Sequence, residues 1–218
     1  MKPLPLAALA AAASLTTLIA LDIVWNAGSS ELGPWVDPER FPALARVTIV
    51  VHAVLYVLLA SALITYGRAI DMGRRFVGVI RWTIAAGYGI FATLFTWLAF
   101  NPTFDTEGVV SILSTVAFAV TLIVPIVLGF AVVRRREFRV AAILLTAPVV
   151  VLPMVMVLEA FTEWAHPGYL ETVVNVGVAL LCVAASAQDL APASAPAALI
   201  RTAPAAPVVA DGSGSARV

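Results

Sequence analysis

Six long apolar stretches, each closed by a short polar turn, constrain this chain more than any other feature. They cover residues 4–25, 43–66, 76–100, 109–133, 140–161 and 170–187. A hydrocarbon layer about 30 Å thick is crossed by an α-helix of about 20 residues, so every stretch is long enough to span. Water is absent from that layer, and a spanning backbone must satisfy its own N–H and C=O groups. The stretches are therefore expected as helices packed into one bundle.

Composition agrees with this reading. Of the 218 residues, 61% are hydrophobic and 12% charged, and the mean hydropathy is +1.00. A soluble domain carries about 25% charged residues, so a soluble core is excluded. The predicted fold class is an all-α membrane protein, a six transmembrane helix bundle over residues 1–187. Residues 188–218 are rich in Ala, Pro, Gly and Ser and read as a disordered tail. The first stretch follows Lys2 and is rich in alanine, as a signal peptide would be. Its length and its closing Trp25 and Asn26 favour a retained helix with an interfacial anchor.

The arginines set an expected orientation. Arg68, Arg74 and Arg75 lie in the turn after the second stretch, and Arg134, Arg135, Arg136 and Arg139 in the turn before the fifth. The loops at the opposite end carry only Arg40. The positive-inside rule then places both arginine-rich turns and both termini in the cytoplasm of a multi-pass cell-membrane protein. A nucleic-acid partner is not suggested, because the arginines sit at span ends and form no long basic face. Cys182 is the single cysteine, which excludes a disulfide framework and a thiolate metal site. Twelve arginines against one lysine point to a GC-rich genome.

Polar residues inside the apolar stretches are the candidate functional groups, because a carboxylate near hydrocarbon costs about 2.5–3.5 kcal/mol on insertion scales. Asp22 and Asn26 share a face near the end of the first span, and Arg46 and His52 lie in the second. Glu159 and Glu163 close the fifth, with His166 in the following turn, and Glu171 and Asn175 open the sixth at i,i+4. In the expected orientation all lie in the outer half. They suggest a hydrated pocket between spans one, two, five and six, with Arg46 neutralising Asp22 or Glu159, His52 at the floor, and Glu159 accepting a proton or gating.

Plainer roles compete at each position. Arg46 with one carboxylate would serve as a helix tether, His52 would donate to a carbonyl of a neighbouring helix, and Glu163, His166 and Glu171 would meet interfacial water. Glu159, Glu163 and His166 have i,i+4,i+7 spacing that suits a divalent cation on a continuous helix, but Pro167 and Gly168 break it and the ligands are too few. No metal site is assigned, and two histidines do not make a haem site. Arg81 is expected to snorkel toward the boundary, and Tyr56 and Tyr66 to pack as aromatics. Gly87 with Gly89, or Ala184 with Ala185, would allow close helix contact, while Pro125, Pro148 and Pro153 would kink their helices. No nucleotide, zincin or nucleophile-elbow motif is present, so neither a cofactor nor catalytic residues are assigned.

The layout resembles a bacterial six-span family known as domain of unknown function 998. The likeness covers residues 18–186 and rests on Ser30-Glu31-Leu32-Gly33 after the first span and Pro102 and Asp105 after the third. The arginine-rich turn before the fifth span and Glu171 opening the sixth complete it; Thr172 stands where the family's pattern often has arginine. The resemblance implies an architecture and no activity. The leading expectation is a pocket that binds or passes a small solute, ion or lipid headgroup without covalent chemistry. A structural subunit without a ligand is the second, and a membrane-embedded lipid hydrolase built on His52 with Ser29 or Ser30 the third. The lipid bilayer is the one partner all three share.

Overall fold

The computed structural model describes residues 2–29, 31–101, 108–166 and 168–188. The expected tail beyond 188, and the expectations attached to Ser30, Pro102, Asp105 and Pro167, lie outside the described residues. Six helices are long and apolar enough to cross a membrane, and no strand occurs among the described residues. This is an integral, multi-pass membrane protein.

Helix α1 (Pro3–Gly28) and helix α2 (Pro42–Thr65) each start on a proline, whose missing N–H is no loss in a first turn. A five-residue helix α3 (Gly67–Asp71) then occupies the first arginine-rich turn, where the sequence pattern predicts only a polar turn. Met72 (φ 46°) and Gly73 (φ 76°) reverse the chain there, and the Met72 N–H donates to the Arg68 carbonyl at 3.0 Å. Helices α4 (Arg75–Phe100) and α5 (Val109–Val132) form the third and fourth spans. The fifth span is split into α6 (Arg139–Thr146) and α7 (Pro148–Leu158). Pro148 has no N–H for the next bond, so the ladder tightens and Ala147 N–H reaches Leu144 O at 3.1 Å. By contrast α5 runs through Pro125 and α7 through Pro153 without interruption. Helix α8 (Gly168–Gln188) is the sixth span.

The spans pack in a closed circuit, α1 on α2, α2 on α4, α4 on α5, α5 on α6, α6 on α8 and α8 back on α1. Helix α8 also touches α2, α3, α5 and α7, so it is the innermost element. Its apolar window is 56% buried, against 28% for α1. Hydrophobicity alone does not drive one helix onto another in lipid, so close backbone approach has to supply dispersion. Helix α1 offers Ala8, Ala11, Ala12 and Leu15, all fully buried at i,i+3,i+4,i+7 spacing. Gly87 admits α5, since a Cβ there would lie 2.8 Å from Thr121 Cγ2, and Gly129 admits α6 in the same way, 2.8 Å from Thr146 Cγ2. Gly89, paired with Gly87 in the sequence reading, faces open space. Ala185 is fully buried and Ala184 partly so.

Lys2 lies over the Tyr66 ring at 5.5 Å, so the start of α1 shares an end of the bundle with α3. At that end Arg81 does not snorkel. It is 5% exposed and turns back to Asp71 in a two-toothed ion pair, Nε to Oδ1 at 2.8 Å and Nη2 to Oδ2 at 2.9 Å. Its Nη1 donates to the Leu63 carbonyl at 3.2 Å, in the last turn of α2 where backbone carbonyls lack N–H donors. The guanidinium passes so close to Gly67 that a Cβ there would lie 2.4 Å from Cζ. Asp71 arrives on α3, which is why depth read from the sequence missed the pair.

Candidate functional site

Glu171 sits in the first turn of α8, and Asn175 follows one turn later on the same face. That face meets α2 and α4, which bring tyrosines to it. Tyr56 Oη donates to Glu171 Oε1 in a short hydrogen bond, and Asn175 Nδ2 makes a longer contact to the same oxygen at 3.4 Å. Asn175 Oδ1 accepts from Tyr88 Oη at 2.8 Å, and both partners are buried. A hydroxyl in hydrocarbon surroundings needs an acceptor, and here one carboxylate and one amide serve two tyrosines. Among the described residues no protein donor reaches Glu171 Oε2.

Beside this network is a cavity of about 10 Å³, lined by Tyr56, Tyr88, Phe91, Phe118, Glu171 and Asn175 among others. That is room for about one water molecule. Its walls are aromatic: Tyr56 stacks on Phe91 at 5.2 Å and on Tyr88 at 5.8 Å between centroids. The aromatic face continues one turn along α2 to His52, which stacks on Phe95 at 5.1 Å. The Nδ1 of His52 bonds the Thr48 carbonyl of its own helix at 2.8 Å, and not a neighbouring helix as expected from the sequence. Thr121 Oγ1, on α5, donates to Ala117 O at 2.9 Å and so spends its proton on its own backbone.

The remaining expected residues separate into three places. Asp22, near the end of α1, faces His166, with Nε2 3.5 Å from Oδ2. His166 Nδ1 accepts the Gly168 N–H at 3.0 Å, so the network assigns the Nε2–H tautomer, which donates toward Asp22. Arg46 pairs with neither Asp22 nor Glu159. It is exposed in a groove of about 410 Å³ with Glu39, Ile49 and Leu98. Glu159 and Glu163 are exposed in the turn after α7 and form no ion pair among the described residues. Asn26 is exposed as well. The anticipated single pocket between spans one, two, five and six is thus divided, and its polar centre lies between α2, α4 and α8.

Near Asp22, the loop after α1 folds on itself. Trp25 Nε1 donates to Glu31 O at 2.9 Å and meets Trp35 edge-on at 5.7 Å. Asp37 Oδ1 accepts the N–H groups of Glu39 and Arg40 at 3.0 Å each. Glu31 reaches Arg40 at 2.6 Å and raises the guanidinium's pKa further above its already high ordinary value, first through that hydrogen bond and then through its charge.

Tyr88 was absent from the sequence-level candidates, and Tyr56 entered only as aromatic packing. The available signal was a phenolic hydroxyl in mid-span, which must find an acceptor within the bundle. Among the described residues no group of three or more His, Cys, Asp or Glu is placed to hold a metal ion. No family model, curated protein or solved structure matches this chain.

Proposed function

We propose that this integral membrane protein binds a small cation, in the simplest case a proton, at the Glu171 carboxylate. One observation carries the reading: a carboxylate in the first turn of the sixth span holds its Oε1 on Tyr56 and Asn175, has no protein donor at Oε2 among the described residues, and borders space for about one water. An ionisable residue within a span is costly to keep and is a functional-site candidate by default, proton and ion paths among its uses. The volume favours an ion over an organic solute or a lipid headgroup, neither of which fits beside Glu171 without helix movement. With the arginine-rich turns in the cytoplasm of a bacterial cell membrane, Glu171 sits in the outer half, and the six-span layout accords with the family that the chain resembles.

The test is charge movement in reconstituted vesicles carrying a pH-sensitive dye. Wild-type protein is expected to move protons under an imposed gradient, and Glu171→Gln to abolish the signal while still eluting as a folded species. Equal signals from both would end the proposal.

A structural role without a ligand is the second reading, favoured by a specific pattern: Tyr88–Asn175, Asp22–His166 and Arg81–Asp71 each join different elements. It predicts lost stability in Glu171→Gln and no ion response in either protein. The hydrolase reading gains nothing from the geometry, because His52 Nδ1 is held by Thr48 and Ser29 Oγ accepts the Glu31 N–H at 3.1 Å.

A further inference from the structure

The arginine-rich end of the bundle carries a second site of a different kind. Arg68, Arg74 and Arg75 line a groove of about 310 Å³ together with Asp71, Gly73 and Gly78. All three arginines are exposed. The acid in the groove is already committed, since both Asp71 oxygens face Arg81 at 2.8 and 2.9 Å. Arg74 Nη1 donates to Ala131 O at 3.0 Å, in the last turn of α5 just before the second arginine-rich turn. There the only acid is Glu137, and it lies 3.0 Å from Arg135. Among the described residues the groove therefore holds an uncompensated positive charge, and guanidinium forks match the oxygens of a phosphate better than those of any neutral group.

The wall of the groove decides between a free and a membrane-borne phosphate. Arg75 and Gly78 line the groove, and the same face of α4 continues at i+4 and i+7 as Val79 and Trp82. Val79 is 65% and Trp82 53% exposed, and Phe76 beside them is 62% exposed. An apolar surface rising from a basic groove fits an amphiphile, with its phosphate among the arginines and its chains along Phe76, Val79 and Trp82. Gly73 and Gly78 keep the groove open; a Cβ at position 73 would meet nothing within 4 Å, and one at 78 would lie 3.0 Å from Asp71 Oδ2.

We infer that this groove binds the phosphate of an anionic phospholipid. The experiment is native mass spectrometry of the full chain in mild detergent, titrated in separate arms with dioleoyl phosphatidylglycerol, dioleoyl phosphatidylcholine and inorganic phosphate. Phosphatidylglycerol is expected to be retained as one tight adduct, with phosphatidylcholine retained weakly. Arg68→Gln/Arg75→Gln should lower retention about tenfold or more, given the loss of two cations at the headgroup. Arg134→Gln/Arg136→Gln, outside the groove, should leave it within about twofold. If the first double variant fails to fold, Arg75→Gln alone should still cost about fivefold. Equal retention of the two lipids would overturn the inference, as would unchanged retention in the groove variants. Displacement of the lipid by equimolar inorganic phosphate would overturn it in favour of a soluble phosphate site.

Discussion

Tyr88 on α4 and Asn175 on α8 are 87 residues apart in the chain, and their side chains meet at 2.8 Å in the fully buried centre of the bundle. The bond fixes the rotation of α8 against α4 and, through Glu171 one turn away, against α2. Hydrogen bonds between membrane helices contribute about 0.6 kcal/mol on average and up to about 1.7 kcal/mol. Tyr88→Phe should therefore destabilise by about 1 kcal/mol, and Asn175→Leu by more, because it leaves the Tyr88 hydroxyl without an acceptor. Unfolding in mixed micelles would measure both. A Tyr88→Phe/Asn175→Leu pair whose costs simply add would mean that the bond does not couple the helices.

Removing one member of the Arg81–Asp71 pair strands a charge in a site where Arg81 is 5% exposed. Arg81→Gln and Asp71→Asn should each cost about 3–5 kcal/mol, and the double variant less than their sum. Thermal unfolding in detergent reads this directly; a loss under about 1 kcal/mol in both single variants would contradict the buried-pair description.

Gly67→Ala tests the same contact from the other side. The added methyl would lie 2.4 Å from Arg81 Cζ, so the guanidinium must leave Asp71. The change should lower the midpoint in wild type and have little further effect on an Arg81→Gln background. Equal losses in both backgrounds would place its cost in the backbone instead.

Arg46 and Glu159 should behave as surface residues. Arg46→Gln, Glu159→Gln and the double variant are each expected within about 0.5 kcal/mol of wild type. A strong single effect rescued in the double would instead reveal the tether that the sequence suggested.

The six spans were legible because a hydrocarbon layer sets helix length and apolar content together. The prolines were legible only as a group: kinks are expected at Pro125, Pro148 and Pro153 alike, and only Pro148 splits its span. The Glu171–Asn175 pairing also followed from i,i+4 spacing. Spacing along one helix gives depth and face, but it does not say which neighbour that face meets. Depth made Asp22 and Glu159 alternative partners for Arg46, whereas the circuit of helices brings His166 to Asp22. Arg81 read as a boundary residue because its partner sits on α3, a helix too short to announce itself by periodicity. Tyr88 stood between two glycines that drew attention to backbone contact, and its hydroxyl went unread.

The innermost position of α8 has a consequence for biogenesis. It leaves the ribosome after the other five spans, so those spans enter the bilayer with its place in the circuit open. Until α8 arrives, Tyr56 lacks Glu171 and Tyr88 lacks Asn175, and two phenols face lipid unpaired. Assembly is thus completed by the last span closing the circuit and not by growth outward from an early core. A chain stalled or cut before α8 would present those phenols to the membrane's quality-control proteases.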